Sequence, residues 1–91
     1  MNRVIQLHPA DNVVVALENI GKGTQLLIEG QSVWVMSDIY FGHKLAIRPI
    51  KEGAQVLKYG SPIGRATKDI WAGEHVHTHN LQSDYSYGEE A

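Results

Sequence analysis

The chain contains no cysteine. That excludes a disulfide framework, a thiolate metal centre and a cysteine nucleophile. Nor does any apolar run approach the roughly 18 residues of a membrane-spanning helix, and the N-terminus lacks a signal-peptide layout. A cytoplasmic location is therefore the expectation. Excess charge is also missing: the net charge is -2, which gives no electrostatic case for binding nucleic acid or an anionic membrane. Finally, no window of helical length carries a clean 3.6-residue period, so helix should be minor.

What remains is the composition of a soluble globular protein, with 43% hydrophobic and 20% charged residues. Ninety-one residues make one domain that buries roughly 60–65% of its unfolded surface. Glycines recur at short intervals. Between them lie β-branched-rich runs at Val13–Leu17, Ser32–Met36, Leu45–Arg48 and Gln55–Tyr59. Short strands with turn signals between them predict an all-β fold.

One spaced pattern occurs four times: Ile20-Gly23-Leu26, Ile39-Gly42-Leu45, Ile50-Gly53-Val56 and Ile70-Gly73-Val76. It reads as a tight corner. The Ile anchors in the core, the Gly allows a positive φ or a close backbone approach, and the aliphatic residue starts the next strand inward. The intervals are unequal, which argues against a solenoid. Beyond Leu81 the apolar runs stop, so residues 1–81 are expected to form the domain and residues 82–91 a tail or linker.

Three of the five histidines stand at alternate positions, His75, His77 and His79. On an extended strand they would share one face, with Val76 and Thr78 on the other. Imidazole is a common ligand for borderline metals. Same-face neighbours on a strand are about 6.6 Å apart, so a straight strand would bring at most two of the three onto one ion. The other reading is a solvent-facing row on an edge strand. A second cluster, Phe41-Gly42-His43-Lys44, places a base and a cation after a flexible glycine, either as a surface turn or as a grip on a carboxylate or phosphate. A third, Lys58 to Arg65, reads as a shaped loop in which Lys58 or Arg65 could contact an anion. It lacks the Gly-Lys-Ser/Thr ending of a phosphate-binding loop.

In this order, the stretches Asp11–Leu17, Gly42–Ala46, Val56–Gly60, Pro62–Gly64 and Gly73–Asn80 resemble the small N-terminal domain of the altronate dehydratase family. The resemblance implies an SAF-type domain with the all-β β-clip fold. It further implies part of a metal-dependent hydro-lyase that eliminates water from a sugar acid. A related protein is the small subunit of sulfolactate sulfo-lyase. Galactarate dehydratase carries a more divergent version, in which the triple-histidine row is not expected.

The resemblance also implies a large catalytic subunit or C-terminal domain as partner, so the isolated chain is expected to be inactive. The implied cofactor is a divalent metal, Fe2+ or alternatively Mn2+, with its ligand shell completed by that partner. On this basis His43, Lys44 and His77 are the candidate catalytic residues, and Lys58, Arg65 and Asn80 the candidate substrate contacts. His75, His77 and His79 are the candidate metal ligands, two at most on one ion. Elimination of sulfite instead of water, or a non-catalytic carbohydrate-binding or assembly module, are the alternatives. Any shared role for His43 and the histidine row requires the two to converge in space.

Overall fold

The computed structural model describes residues 3–83, and among them there is no helix. Nine short strands follow in order: β1 Val4–Ile5, β2 Val13–Ala16, β3 Gln25–Ile28, β4 Gln31–Trp34, β5 Lys44–Ala46, β6 Gln55–Lys58, β7 Ser61–Ala66, β8 His75–Val76 and β9 Leu81–Ser83. They form a four-stranded sheet β1-β2-β5-β8, a β3-β4 hairpin and a three-stranded sheet β6-β7-β9. Every pairing is antiparallel. The expected all-β β-clip architecture is what the chain adopts.

The four Ile-x-x-Gly corners organise it. Ile20, Ile39, Ile50 and Ile70 are all buried. They meet in pairs across isolated bridges, Ile20 with Ile39 and Ile50 with Ile70, and each bridge has two backbone hydrogen bonds of 2.8 Å. The aliphatic residues closing the pattern, Leu26, Leu45, Val56 and Val76, are buried too. Two core clusters result. One gathers Val14, Ile20, Leu26, Val33, Ile39 and Leu45; the other gathers Val13, Ile50, Val56, Ile70 and Val76. Burying such side chains contributes roughly 1.5–3 kcal/mol each. The two halves mirror each other, each with a bridged Ile pair around a tight hairpin.

Two corner glycines matter for the site. Gly42 has φ 85° and Gly73 φ 92°, a region that costs an ordinary side chain energy. At Gly73 space is short as well: a Cβ would stand 1.9 Å from the Trp34 carbonyl oxygen. The Gly73 carbonyl also accepts the Met36 N–H at 2.9 Å, so the turn ahead of the histidines is clamped to the β4 segment.

Lys58 to Arg65 is a hairpin, not the expected loop. The turn at Tyr59 and Gly60 has positive φ at both residues, and β7 begins at Ser61. Pro62 lies beyond the reach of β9, which pairs only from Gly64 onward, so its missing N–H costs no ladder bond on that side. The buried Asp11 carboxylate holds the turn by accepting the N–H groups of Tyr59 (3.0 Å) and Gly60 (2.7 Å). At the C-terminal end, Gln82 and Ser83, the first two residues of the expected tail, pair with β7 in β9. The rest of that segment lies outside the described residues.

Candidate functional site

The histidine segment is not the straight strand that its alternation suggested. β8 stops at Val76, and residues 77–80 fold into a turn before β9. The buried Asn80 side chain makes that turn: its amide nitrogen donates to the His75 carbonyl (2.8 Å) and its oxygen accepts the His77 N–H (3.0 Å). Backbone bonds from Asn80 (3.1 Å) and Leu81 (2.8 Å) to the His77 carbonyl close it. A short polar side chain that bonds its own preceding backbone is a physical alternative to ladder pairing, and it draws the imidazoles together. Ring centroids of His75 and His77 are 5.6 Å apart, and those of His75 and His79 5.4 Å.

His43 joins them from the other end of the sequence. Its loop is held by Asn19, whose side-chain oxygen accepts the Phe41 N–H at 2.9 Å. Its own carbonyl accepts the Ala16 N–H at 2.9 Å. Because β5 pairs with β8, with Leu45 opposite His75, the residue before β5 lands beside the histidine turn. His43 Nδ1 and His75 Nε2 share a hydrogen bond of 2.9 Å, and the His43 ring lies 5.3 Å from that of His77. Tyr40 approaches His43 edge-on at 6.3 Å.

Donor nitrogens of His43, His75 and His77 all lie within 4.8 Å of one another. Three imidazoles with no carboxylate among them are a donor set for a borderline metal. They are also a proton-handling set. Burial pushes the His75 imidazole below its ordinary value, and positive charge on His43, His79, His77 and Lys44 reinforces the shift. His75 therefore favours its neutral form, in which one nitrogen is free to accept.

Beside the cluster runs a groove of about 700 Å³ lined by Lys44, Ile63, Thr67, His77, Leu81 and Ser83, among others. Lys44 pairs with Val76, on the sheet face opposite the Leu45–His75 pair. Its stem shares the groove with Ile63 and Leu81, which pack on the second core cluster. Burial, together with the Lys58 ammonium, pulls the Lys44 amine below its ordinary value. His77 belongs both to the groove and to the three-histidine set.

Comparison with known proteins agrees with this architecture. The profile of the altronate/galactarate dehydratase SAF domain matches residues 2–84. The chain belongs to this SAF-domain family. It is 46% identical to altronate dehydratase of Bacillus subtilis (strain 168) over 86 residues, 94% of this chain and 17% of that protein. The figures for altronate dehydratase of Escherichia coli (strain K12) are 46% over 82 residues, 90% and 17%. It is also 38% identical to the (2R)-sulfolactate sulfo-lyase subunit alpha of Chromohalobacter salexigens over 90 residues, 85% of this chain and 90% of that subunit. The SAF domain thus spans about a sixth of the two dehydratases it matches.

Within this SAF domain the candidates named from sequence are placed differently. His43, His75 and His77 converge, and Lys44 lies next to them in the groove. His79 touches only the edge of the cluster, through His75, and is exposed; the third donor beside His75 and His77 is His43. Asn80 and Arg65 stand elsewhere. Asn80 is buried with both ends of its carboxamide spent on the turn, so it positions histidines and has no surface for a substrate. Arg65 is exposed on β7, 3.5 Å from the Gly53 carbonyl. Lys58, half-buried at the end of β6, has its ammonium 5.6 Å from the Tyr59 ring centre. Thr67, Ser83, Ile63 and Leu81 also line the groove, and Asn19 lies beneath the His43 loop. No local motif marks these residues, because only the pairing of β7 with β9 and the Asn19 contact place them.

Proposed function

We propose that the chain is the small subunit or N-terminal domain of a sugar-acid hydro-lyase that eliminates water from an aldonate such as altronate. The observation that carries this reading is the convergence of His43, His75 and His77 at the end of the groove. Family membership and 46% identity to two altronate dehydratases support it. Elimination takes a proton from the carbon α to the carboxylate. Its electron pair forms the C=C bond as the β-hydroxyl leaves, and that hydroxide needs a proton to depart as water. The enol then tautomerises to the 2-keto acid.

A row of imidazoles suits two proton transfers at neighbouring carbons. His43 and His75 cannot both hold a proton on their facing nitrogens, so one of the two rings donates the proton of their shared hydrogen bond and the other accepts it. His77, adjoining both rings and lining the groove, is the group that meets the substrate. The same three imidazoles also fit a divalent metal as an alternative to proton transfer, and we propose that His43, His75 and His77 would then hold Fe2+, or Mn2+ in its place, through deprotonated nitrogens, with further ligands from the large part. When bound, the metal would supply Lewis acidity toward the leaving hydroxyl.

A second reading is elimination of sulfite from sulfolactate, favoured by the match to 90% of a sulfo-lyase subunit alpha. Co-expressing the chain with a large dehydratase part and assaying both substrates decides between them. The expected result is 2-keto acid from altronate, dependent on the presence of both parts. Sulfite release from sulfolactate with no action on altronate would overturn the dehydratase reading. Full turnover by the large part alone would overturn any catalytic role for this chain.

A further inference from the structure

The two halves of the domain turn alike and end differently. In each, a hairpin closes through two residues of positive φ, Glu29 and Gly30 between β3 and β4, Tyr59 and Gly60 between β6 and β7. Gln25 stands opposite Trp34 as Gln55 stands opposite Arg65. The bonds beyond these pairs match as well. Val35 donates its N–H to the Thr24 carbonyl (2.8 Å) as Ala66 does to that of Ala54 (2.9 Å), and Met36 donates to Gly73 as Thr67 does to Asn80, both at 2.9 Å. There the likeness stops. After Asn80 the chain runs back along β7 as β9, so the second hairpin becomes a three-stranded sheet. After Gly73 the chain turns away into β8, and among the described residues β4 has β3 as its only strand partner.

The edge left open lies beside exposed apolar side chains. Ile28 and Gln31 flank the two-residue turn and exchange hydrogen bonds, as does every second pair along the hairpin, which turns the peptide groups of Ser32 and Trp34 outward. Gly73 covers the Trp34 carbonyl; the Trp34 N–H and both Ser32 groups face away from β3. Leu27 and Trp34, diagonal neighbours on the outer face of the hairpin, are 77% and 58% exposed, and Met36 just beyond is 47% exposed. The completed hairpin differs at the equivalent positions: it carries the exposed Arg65 in place of Trp34 and Pro62 in place of Ser32. An edge with neither charge nor proline, next to an exposed Leu and Trp, is a template for one more strand.

We infer that the β4 edge is the docking site for an extended segment of the large dehydratase part, which adds to β3 and β4 as β9 adds to β6 and β7, and rests apolar side chains on Leu27 and Trp34. The inference rests on the proposed association with that part and names the surface that makes it. Position selects this occupant. The edge ends at Gly73, whose corner leads into His75, and on the proposed reading the large part reaches these histidines to complete their site. A strand added at β4 therefore anchors the large part against the back of the histidine corner. The chain's own residues after Ser83 and a second copy are the other candidates for such an edge, and the test tells them apart.

Amide hydrogen exchange is read residue by residue by mass spectrometry, on the full chain alone and in the complex co-expressed with the large part. Ser32 and Trp34 should exchange rapidly in the free chain and about tenfold or more slower in the complex, with Val33 slow in both. Ser32→Pro and Trp34→Arg each install the residue type that the second hairpin carries at that position. Both should weaken association about tenfold or more and leave the unfolding curve of the free chain near that of the wild type. Should either variant fail to fold, the exchange rates of the wild type still decide. A complex in which Ser32 and Trp34 remain fast, or whose affinity neither substitution changes, would overturn this surface and leave the large-part reading standing. Slow exchange already present in the free chain would overturn the occupant, in favour of a second copy if the chain sediments as a dimer and of its own C-terminal residues if it sediments as a monomer. Absence of any association with the large part would overturn both the surface and the reading it rests on.

Discussion

His43 Nδ1 and His75 Nε2, thirty-two positions apart in sequence, stand 2.9 Å from one another. The contact follows from one strand pairing, β5 with β8, which sets Leu45 opposite His75 and carries the residue ahead of β5 to the histidine turn. That places three imidazoles where the alternate spacing of the row alone offered at most two.

Metal binding should follow the convergence and not the spacing. Three protein ligands are the usual minimum for a catalytic ion, so the isolated chain should bind Zn2+ or Fe2+ measurably, with the partner adding to affinity. Calorimetric titration of variants checks this. His43→Ala should weaken binding at least tenfold and His79→Ala by no more than about twofold, taking a tenfold change as about 1.4 kcal/mol. Equal effects of the two substitutions would favour the row as the ligand set.

Stability of the metal-free chain should depend on pH through His75. Its folded-state value lies below the ordinary 6.5 because of burial first and neighbouring positive charge second. As pH falls through about 6.5, the unfolded chain takes up this proton first and gains stability relative to the fold. Above that pH both states are neutral at His75 and the group contributes no dependence. Denaturant unfolding at pH 7.5 and 5.5, in the presence of a chelator, should therefore show lower stability at pH 5.5. The drop should be smaller in His75→Gln.

Asn80→Ala removes both side-chain bonds that bend the histidine turn. Leaving a buried donor and acceptor unmatched costs about 1–3 kcal/mol. We expect a loss of about 2 kcal/mol in chemical unfolding, and weaker metal binding although no ligand is altered.

The corner glycines supply an internal control. Gly73→Ala meets a positive φ and the Trp34 carbonyl together and should cost at least about 3 kcal/mol. Gly23→Ala meets a positive φ with nothing within 4 Å, and should cost about 1–2 kcal/mol. Thermal or denaturant unfolding of the two variants measures the difference.

Much of this was legible in the sequence, for a physical reason. The Ile-x-x-Gly corners read correctly because each is a local solution to one problem, turning the chain while burying an Ile. The histidine row misled because period-2 spacing is equally compatible with a strand and with a turn, and the buried Asn80 that chooses the turn is not a strand signal. Lys58–Arg65 misled in the opposite sense, since its Gly and Pro support a tight hairpin beyond the reach of β9. His43 was a candidate through the family resemblance, because its Gly-His-Lys context alone also reads as a surface turn. Its closeness to His75 is a long-range pairing that a single sequence does not encode locally.

The most direct test of the central claim is His77→Ala in the complex reconstituted with the large dehydratase part. His77 is exposed, so its truncation should change stability by no more than about 0.5 kcal/mol. A proton-transfer group should cost a factor of roughly 10²–10⁴ in rate. Near-native unfolding of the variant is expected, together with a fall in altronate dehydration of about 10²-fold or more. Full activity in the reconstituted His77→Ala complex would contradict it, and would assign the chemistry to the large part.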